Sequence, residues 1–420
     1  YAQGTGEEAI PEGGLVITGT SDKNTIIVAP GAGKTAAFTI SDLTLSTESG
    51  ASLIDVQSGG AEITLSGENA LTGGGAGALI RVSDGQALTI KGEGSLELNN
   101  GTESTAAHGA AIGGSAREDG GRISIESGNI KIVQYGPGAG IGGGGPGSGF
   151  TTGDSGDISI SSGNVEISVT AVDSNGGGCG IGPGMNYKTT PFNEYDGVLN
   201  SITISGGKLN VSTANKIIQG YEYRSGSAIG TGRMGAPDGQ ESRIHITGDA
   251  DVTATVYGAS SAIGGAEVPV TYSDPFGSLK IDIDGKAKVN ARTIYINNRL
   301  YCGAAIGLGA NGFTMPVYIT VGGEAEVFAE GSYVGAGIGS AFVSSSADTT
   351  ISILIHENAK VTAIGGQQAA GIGTSMFFVK VPEKPDILSV TITDKASVIA
   401  YGGYCGAAIG SGDGYKNNDS

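Results

Sequence analysis

The chain has 420 residues, 78 of them glycine, and a formal charge of −18 with only 23 lysines and arginines. Glycine without a strict three-residue period excludes collagen, and 38% apolar residues in regular alternation exclude a disordered chain. No cluster of cations stands ready to neutralise phosphate, so nucleic acid and anionic membrane surfaces are poor partners, and no apolar run of about 18 residues could cross a bilayer as a helix.

In the first hundred residues, Phe38-Thr39-Ile40, Ile63-Thr64-Leu65 and Leu88-Thr89-Ile90 alternate as strands with one buried face, each followed by a polar turn. Leu96-Glu97-Leu98 continues the pattern. No signal peptide is visible at Tyr1, as expected of a mature or trimmed chain. From residue 105 a short phrase, small–small–Ile–Gly, recurs around Ile112, Ile141, Ile181, Ile229, Ile263, Ile306, Ile338, Ile372 and Ile409. The interval varies from 29 residues (Ile112 to Ile141) to 48 (Ile181 to Ile229). A fixed phrase at a variable interval is a structural unit with loops of free length, which marks a solenoid.

Each interval holds a first strand (Ile123/Ile125, Ile158/Ile160, Ile244/Ile246), a polar turn, a second strand (Ile130/Ile132, Val165/Ile167, Val252/Ala254), a bend and then the phrase. The turn reads as one residue longer in the first three motif coils than in the last five. The expected fold is all-β: a right-handed single-stranded parallel β-helix of about 11–13 coils, each of three short strands. Residues 1–104 form smaller coils, 105–412 the motif coils, and 413–420 a polar tail. Cys179, Cys302 and Cys405 read as buried free thiols. Cys302 and Cys405 share a slot three coils apart, about 14 Å at the strand spacing, too far for a disulfide.

The third strand is the expected place for a site. The residues two before each Ile, such as Ala110 and Cys179, share its face and read as inward. The residues flanking it, Ala or Gly before and Gly after, read as an outward strip almost bare of side chains. Tyrosines border this strip. Tyr135, Tyr223 and Tyr257 lie six residues before their Ile, and Tyr301, Tyr333 and Tyr404 five before theirs. A flat floor with an aromatic rim resembles a groove for an extended sugar chain. Two other readings stand beside it: a tight glycine backbone path with no ligand, and a protein interface. The longest coil adds Tyr187, Tyr195, Tyr221 and the carboxylates Glu194, Asp196 and Glu222, the densest mixture of aromatic and acidic groups in the chain.

Catalytic and metal signals are weak. A glycoside hydrolase needs two carboxylates at a set separation, and Glu194, Asp196 and Glu222 are the candidates. Asp282 and Asp284 face outward on one strand and form a pair that could hold calcium; no other cofactor is implied. The histidines, His108, His245 and His356, share no metal-ligand spacing.

The phrase Gly109-Ala110-Ala111-Ile112-Gly113-Gly114, echoed in Gly138-Ala139-Gly140-Ile141-Gly142-Gly143, resembles repeats of large bacterial cell-surface and secreted β-helix proteins, typical of Gram-positive anaerobes. The likeness covers about residues 105–412. It implies a β-helix and an extracellular place, at the cell surface or secreted, and carries no catalytic residues over. The leading expectation is an adhesive module that binds polysaccharide or a host or microbial glycan along the Tyr-rimmed strip. A polysaccharide-degrading hydrolase or lyase centred on the 183–224 loops, and a purely structural stalk, are the alternatives. The last motif ends at Ile409 with only a polar tail, so an open sheet edge is expected there, for further domains of the chain or another protomer to cover.

Overall fold

The computed structural model describes residues 14–147, 151–173, 175–185, 197–218, 221–232, 239–267, 277–295, 302–310, 315–341, 350–375 and 387–412, with backbone alone at 217–218, 221–223 and 387. It is a parallel β-helix. The recurring strands pair in parallel with their equivalents one coil away. The motif strands, Ile112–Gly113 to Ile409–Gly410, continue a stack that begins with Ile26–Val28, Ile54–Val56 and Ile80–Val82, making a twelve-stranded third face. First- and second-face strands belong to one 22-stranded sheet, because Thr35–Ser46 runs through both faces and bends at Asp42 (φ 52°).

Period-2 alternation turns every second residue inward, and parallel pairing in register stacks like on like. On the first face Ile90, Ile125, Ile160, Ile204, Ile246 and Ile283 form one unbroken ladder. On the third face Ile54, Ile80, Ile112 and Ile141 do the same, so the register passes residue 104 without a break. These isoleucines are buried, each contributing on the order of 1.5–3 kcal/mol before entropy is counted.

A third inward column is partly polar. Asn100, Gln134, Val169, Thr213, Val256 and Thr293 are register neighbours at the end of the second face. Asn100 and Gln134 side-chain amides donate to the Gly109 carbonyl (3.0 and 3.1 Å). The Thr213 and Thr293 hydroxyls donate to the Gly226 and Gly303 carbonyls (2.9 and 3.0 Å). These carbonyls precede the repeated Ile by three residues, where the bend leaves backbone oxygens without a ladder partner.

The register reverses the expectation for the first turn. Leu209 pairs with Val252, and Val252 with Val289. The turn is therefore one residue longer in the last five motif coils, not the first three. The extra residue lets Ala250, Ala287, Ala325 and Ala359 tuck into the corner, each amide bonding back three residues to Thr247, Asp284, Gly322 and His356. Counting from the first apolar residue takes these alanines for strand positions. The second residue of this turn has φ near +60°, at Gly248, Gly285, Gly323, Glu357 and Asp394.

Candidate functional site

The repeated phrase is a closed loop rather than a flat strand. The amide two before the Ile donates to the carbonyl two after it in eight copies, among them Ala110 to Gly114 (2.9 Å), Ala139 to Gly143 (3.1 Å) and Ala304 to Leu308 (3.0 Å). The Gly after the Ile makes the reversal, with φ between 130° and 149° in all nine copies. Each Ile amide then reaches the next coil: Ile112 donates to the Gly140 carbonyl and Ile141 to that of Gly180. A methyl group on Gly142 would overlap the carbonyl oxygen of Gly182, so the coils stack glycine on glycine at van der Waals distance.

This geometry corrects the inward and outward assignment. Ala111, Ala228, Ala262 and Ala305 join the hydrophobic core beside their Ile, and a side chain on Gly180 would strike Val211. A two-residue strand at a reversal is too short for strict alternation. Two of the polar residues two before the Ile meet the backbone just beyond the Ile of the next coil instead: the Cys179 thiol donates to the Thr231 carbonyl and the Ser227 hydroxyl to that of Gly264. From Ala111 to Gly373 every Ile and both its flanking residues are buried; only the last copy, Ala408-Ile409-Gly410, is partly exposed. The strip is a close-packed seam.

The tyrosines separate into unlike environments. Tyr135 and Tyr257 share one column, but Thr170 and Ala214 lie between them in register. Tyr135 is half-buried and Tyr257 is 39% exposed. Tyr333, at φ 48°, stacks on Tyr295, ring centroids 5.4 Å apart. Tyr404 is 91% exposed. Tyr221, Glu222 and Tyr223 lie on a strand antiparallel to Lys216–Ile218, where backbone alone is described. Tyr187, Glu194, Tyr195, Asp196 and Tyr301 lie outside the described residues.

Only Asp282 lies on the strand Ser278–Ile283, where it is buried; Asp284 follows in the turn, which corrects the expected outward pair, and a basic group of the chain stands at each. Arg243 Nη2 is 2.9 Å and Lys280 Nζ 3.4 Å from Asp282 Oδ2, and His245 Nε2 is 3.0 Å from Asp284 Oδ2. Burial alone would raise the Asp284 pKa, but hydrogen bonds from Thr247 and His245, with the His245 and Arg243 charges, hold it below the usual carboxylate range. Among the described residues, no three His, Cys, Asp or Glu side chains converge as a metal site would require. Near the first-face corner, Asp119 accepts the Asp154 amide and Asp154 the Val198 amide, so these acids brace the return loops.

An open concave surface lies on the second face. A groove of about 470 Å³ runs across several coils, from Asp251 to Ile399. Its floor follows the outward column Asn290, Phe328, Thr362 and Ile399, one residue per coil. One wall is a column of alternating charge, Asp251, Lys288, Glu326 and Lys360, which continues in register from Lys208 outside the groove. Lys360 Nζ sits 2.8 Å from Glu326 Oε1. This hydrogen bond holds Glu326 below the usual range, the wrong direction for a general acid, and raises Lys360. Arg292 lies over the Phe328 ring at 4.9 Å and its Nε donates to Asn290 Oδ1 at 3.2 Å, bracing the floor.

The sequence carries a signal for this groove. In earlier coils the floor column holds Lys131, Glu166, Asn210 and Thr253; an outward Phe328 and Ile399 break that polarity. Tyr295 was equally findable, since Tyr295 follows Ala291 as Tyr333 follows Ala329 in paired strands. No family model, curated protein or solved structure matches the chain.

Proposed function

We propose that this chain is a non-catalytic β-helix module of an extracellular bacterial protein, surface-attached or secreted, that binds glycan through the groove on its second face. The observation that carries the reading is that groove: an apolar and aromatic floor with amide and hydroxyl groups, walled by paired charges and built on a rigid sheet. Sugars are recognised by such a mixture of flat apolar area and fixed hydrogen-bonding groups. The outward face of a paired strand has no free backbone amides, so an added peptide strand is not its natural ligand.

Incubating the purified chain with plant, mucin and microbial polysaccharides, scoring both retention and released sugars, tests the proposal. Retention without release is expected. Release of product would overturn the non-catalytic reading and direct mutagenesis to Glu194 and Asp196; absence of retention would overturn the glycan reading.

A further inference from the structure

Resting on the glycan reading above, we infer that the groove takes an uncharged polysaccharide lying along the coil axis, successive sugars meeting successive coils. The inference starts from direction. The floor residues Asn290, Phe328, Thr362 and Ile399 are register partners on consecutive strands, so their column runs perpendicular to the strands. Strands repeat about every 4.8 Å along that axis, close to the advance of one sugar in an extended chain. A ligand laid along the axis meets an equivalent position at each step; one laid along a strand crosses the charged wall instead.

Charge selects the class. The wall residues Asp251, Lys288, Glu326 and Lys360 sum to zero, and across the floor Arg292 faces Glu330 at 3.5 Å. These groups are arranged against partners of opposite sign on the neighbouring coil, as the 2.8 Å Lys360–Glu326 pair shows. A polyanion would have to draw Lys288, Lys360 or Arg292 away from these partners, and would approach a chain of net charge −18. A neutral, hydroxyl-rich chain leaves the pairs intact and uses them as donor and acceptor side by side, the arrangement that adjacent hydroxyls satisfy. Half-buried Phe328, braced by Arg292, and Ile399, 50% exposed, offer the flat apolar area that the C–H face of a sugar covers.

The test compares a neutral β-glucan with polygalacturonate of similar length, by affinity electrophoresis at low and high salt. The expected result is retention of the neutral polymer with little change between the salts, weakened roughly three- to tenfold by Phe328→Ala. Thr362→Arg, which places a bulky side chain on the floor and leaves the charge pairs in place, should abolish retention; circular dichroism checks that each variant is folded. Salt-sensitive retention of polygalacturonate alone overturns this inference and leaves the glycan reading standing. Neutral retention unchanged in both folded variants overturns the groove as its site. Failure to retain any polysaccharide overturns the glycan reading itself. Self-association of the wild type that Thr362→Arg abolishes assigns the groove to a second copy and overturns the inference.

Discussion

The amide of Ala139 donates to the carbonyl of Gly143 at 3.1 Å, closing a five-residue loop around Ile141-Gly142. The loop reverses at Gly142 (φ 132°), whose Cα faces the Gly182 carbonyl of the next coil. Gly142→Ala therefore meets both a disfavoured backbone and a fixed backbone atom, and should lose about 3 kcal/mol or more. Gly85, also left-handed at φ 81°, has open space where a methyl would sit, and Gly85→Ala should cost only about 1 kcal/mol. Urea denaturation of the two variants checks the contrast; equal losses would place the cost in backbone strain rather than in stacking.

Thr293 links three segments. Its hydroxyl donates to the Gly303 carbonyl and accepts the Ser332 amide, at 3.0 and 3.1 Å. Valine fills the same column at Val169 and Val256, so the shape of Thr293→Val is tolerated and its cost is the lost pairing, about 1–3 kcal/mol. Thr293→Ser keeps the hydroxyl and should recover most of that loss, which equilibrium unfolding of both variants would reveal.

Arg81 is the third-face counterpart of Gly113 one coil earlier, and there the side chain points out. It bonds Glu118 through Nε and Nη2 at 2.7 and 2.9 Å and Asp55 at 2.9 Å. Burial alone would raise the Glu118 pKa, but the hydrogen bond and charge of Arg81 outweigh it and hold it below the usual range. A depressed folded-state pKa contributes stability that is complete above the unfolded value and is lost as pH falls through the folded one. Arg81→Met should cost about 1 kcal/mol at neutral pH, modest because the cluster is partly exposed. The gap from wild type should close on acidification; a gap that widened in acid would sink the assignment.

None of the three cysteines forms a disulfide, but their surroundings differ. Cys179 is fully buried, its thiol donates to the Thr231 carbonyl, and burial pushes its pKa up, so thiolate is scarce at neutral pH. Cys302 is also buried, while Cys405 is half-buried. With an aromatic disulfide reagent, Cys405 alone should react in the native protein, and all three after unfolding. Native labelling of Cys179 at a comparable rate would mean that the motif seam opens readily.

Alternation makes the isoleucine ladders legible in the sequence, because inward Ile and Val at every second position admit one packing. The reversal around each Ile was not legible. Alternation is a rule for extended runs, and Ile141-Gly142 is a two-residue strand ending in a positive φ that glycine permits without announcing. The turn is not legible at Ala250 because a small apolar residue in a corner looks like a strand position until register places Val252 opposite Leu209. The repeated phrase does not point to the groove, whose Phe328 and Ile399 stand out only against the polar residues that hold their column in earlier coils.

The column Lys208, Asp251, Lys288, Glu326, Lys360 changes sign at every coil. A solenoid of near-identical turns has an ordering problem: a coil can dock on its second neighbour almost as well as on its first, since both offer the same isoleucines. Skipping one coil would set Asp251 beside Glu326, or Lys288 beside Lys360. The alternation thus works as a parity check on assembly, setting like charges side by side when a turn docks on its second neighbour and opposite charges when it docks on its first.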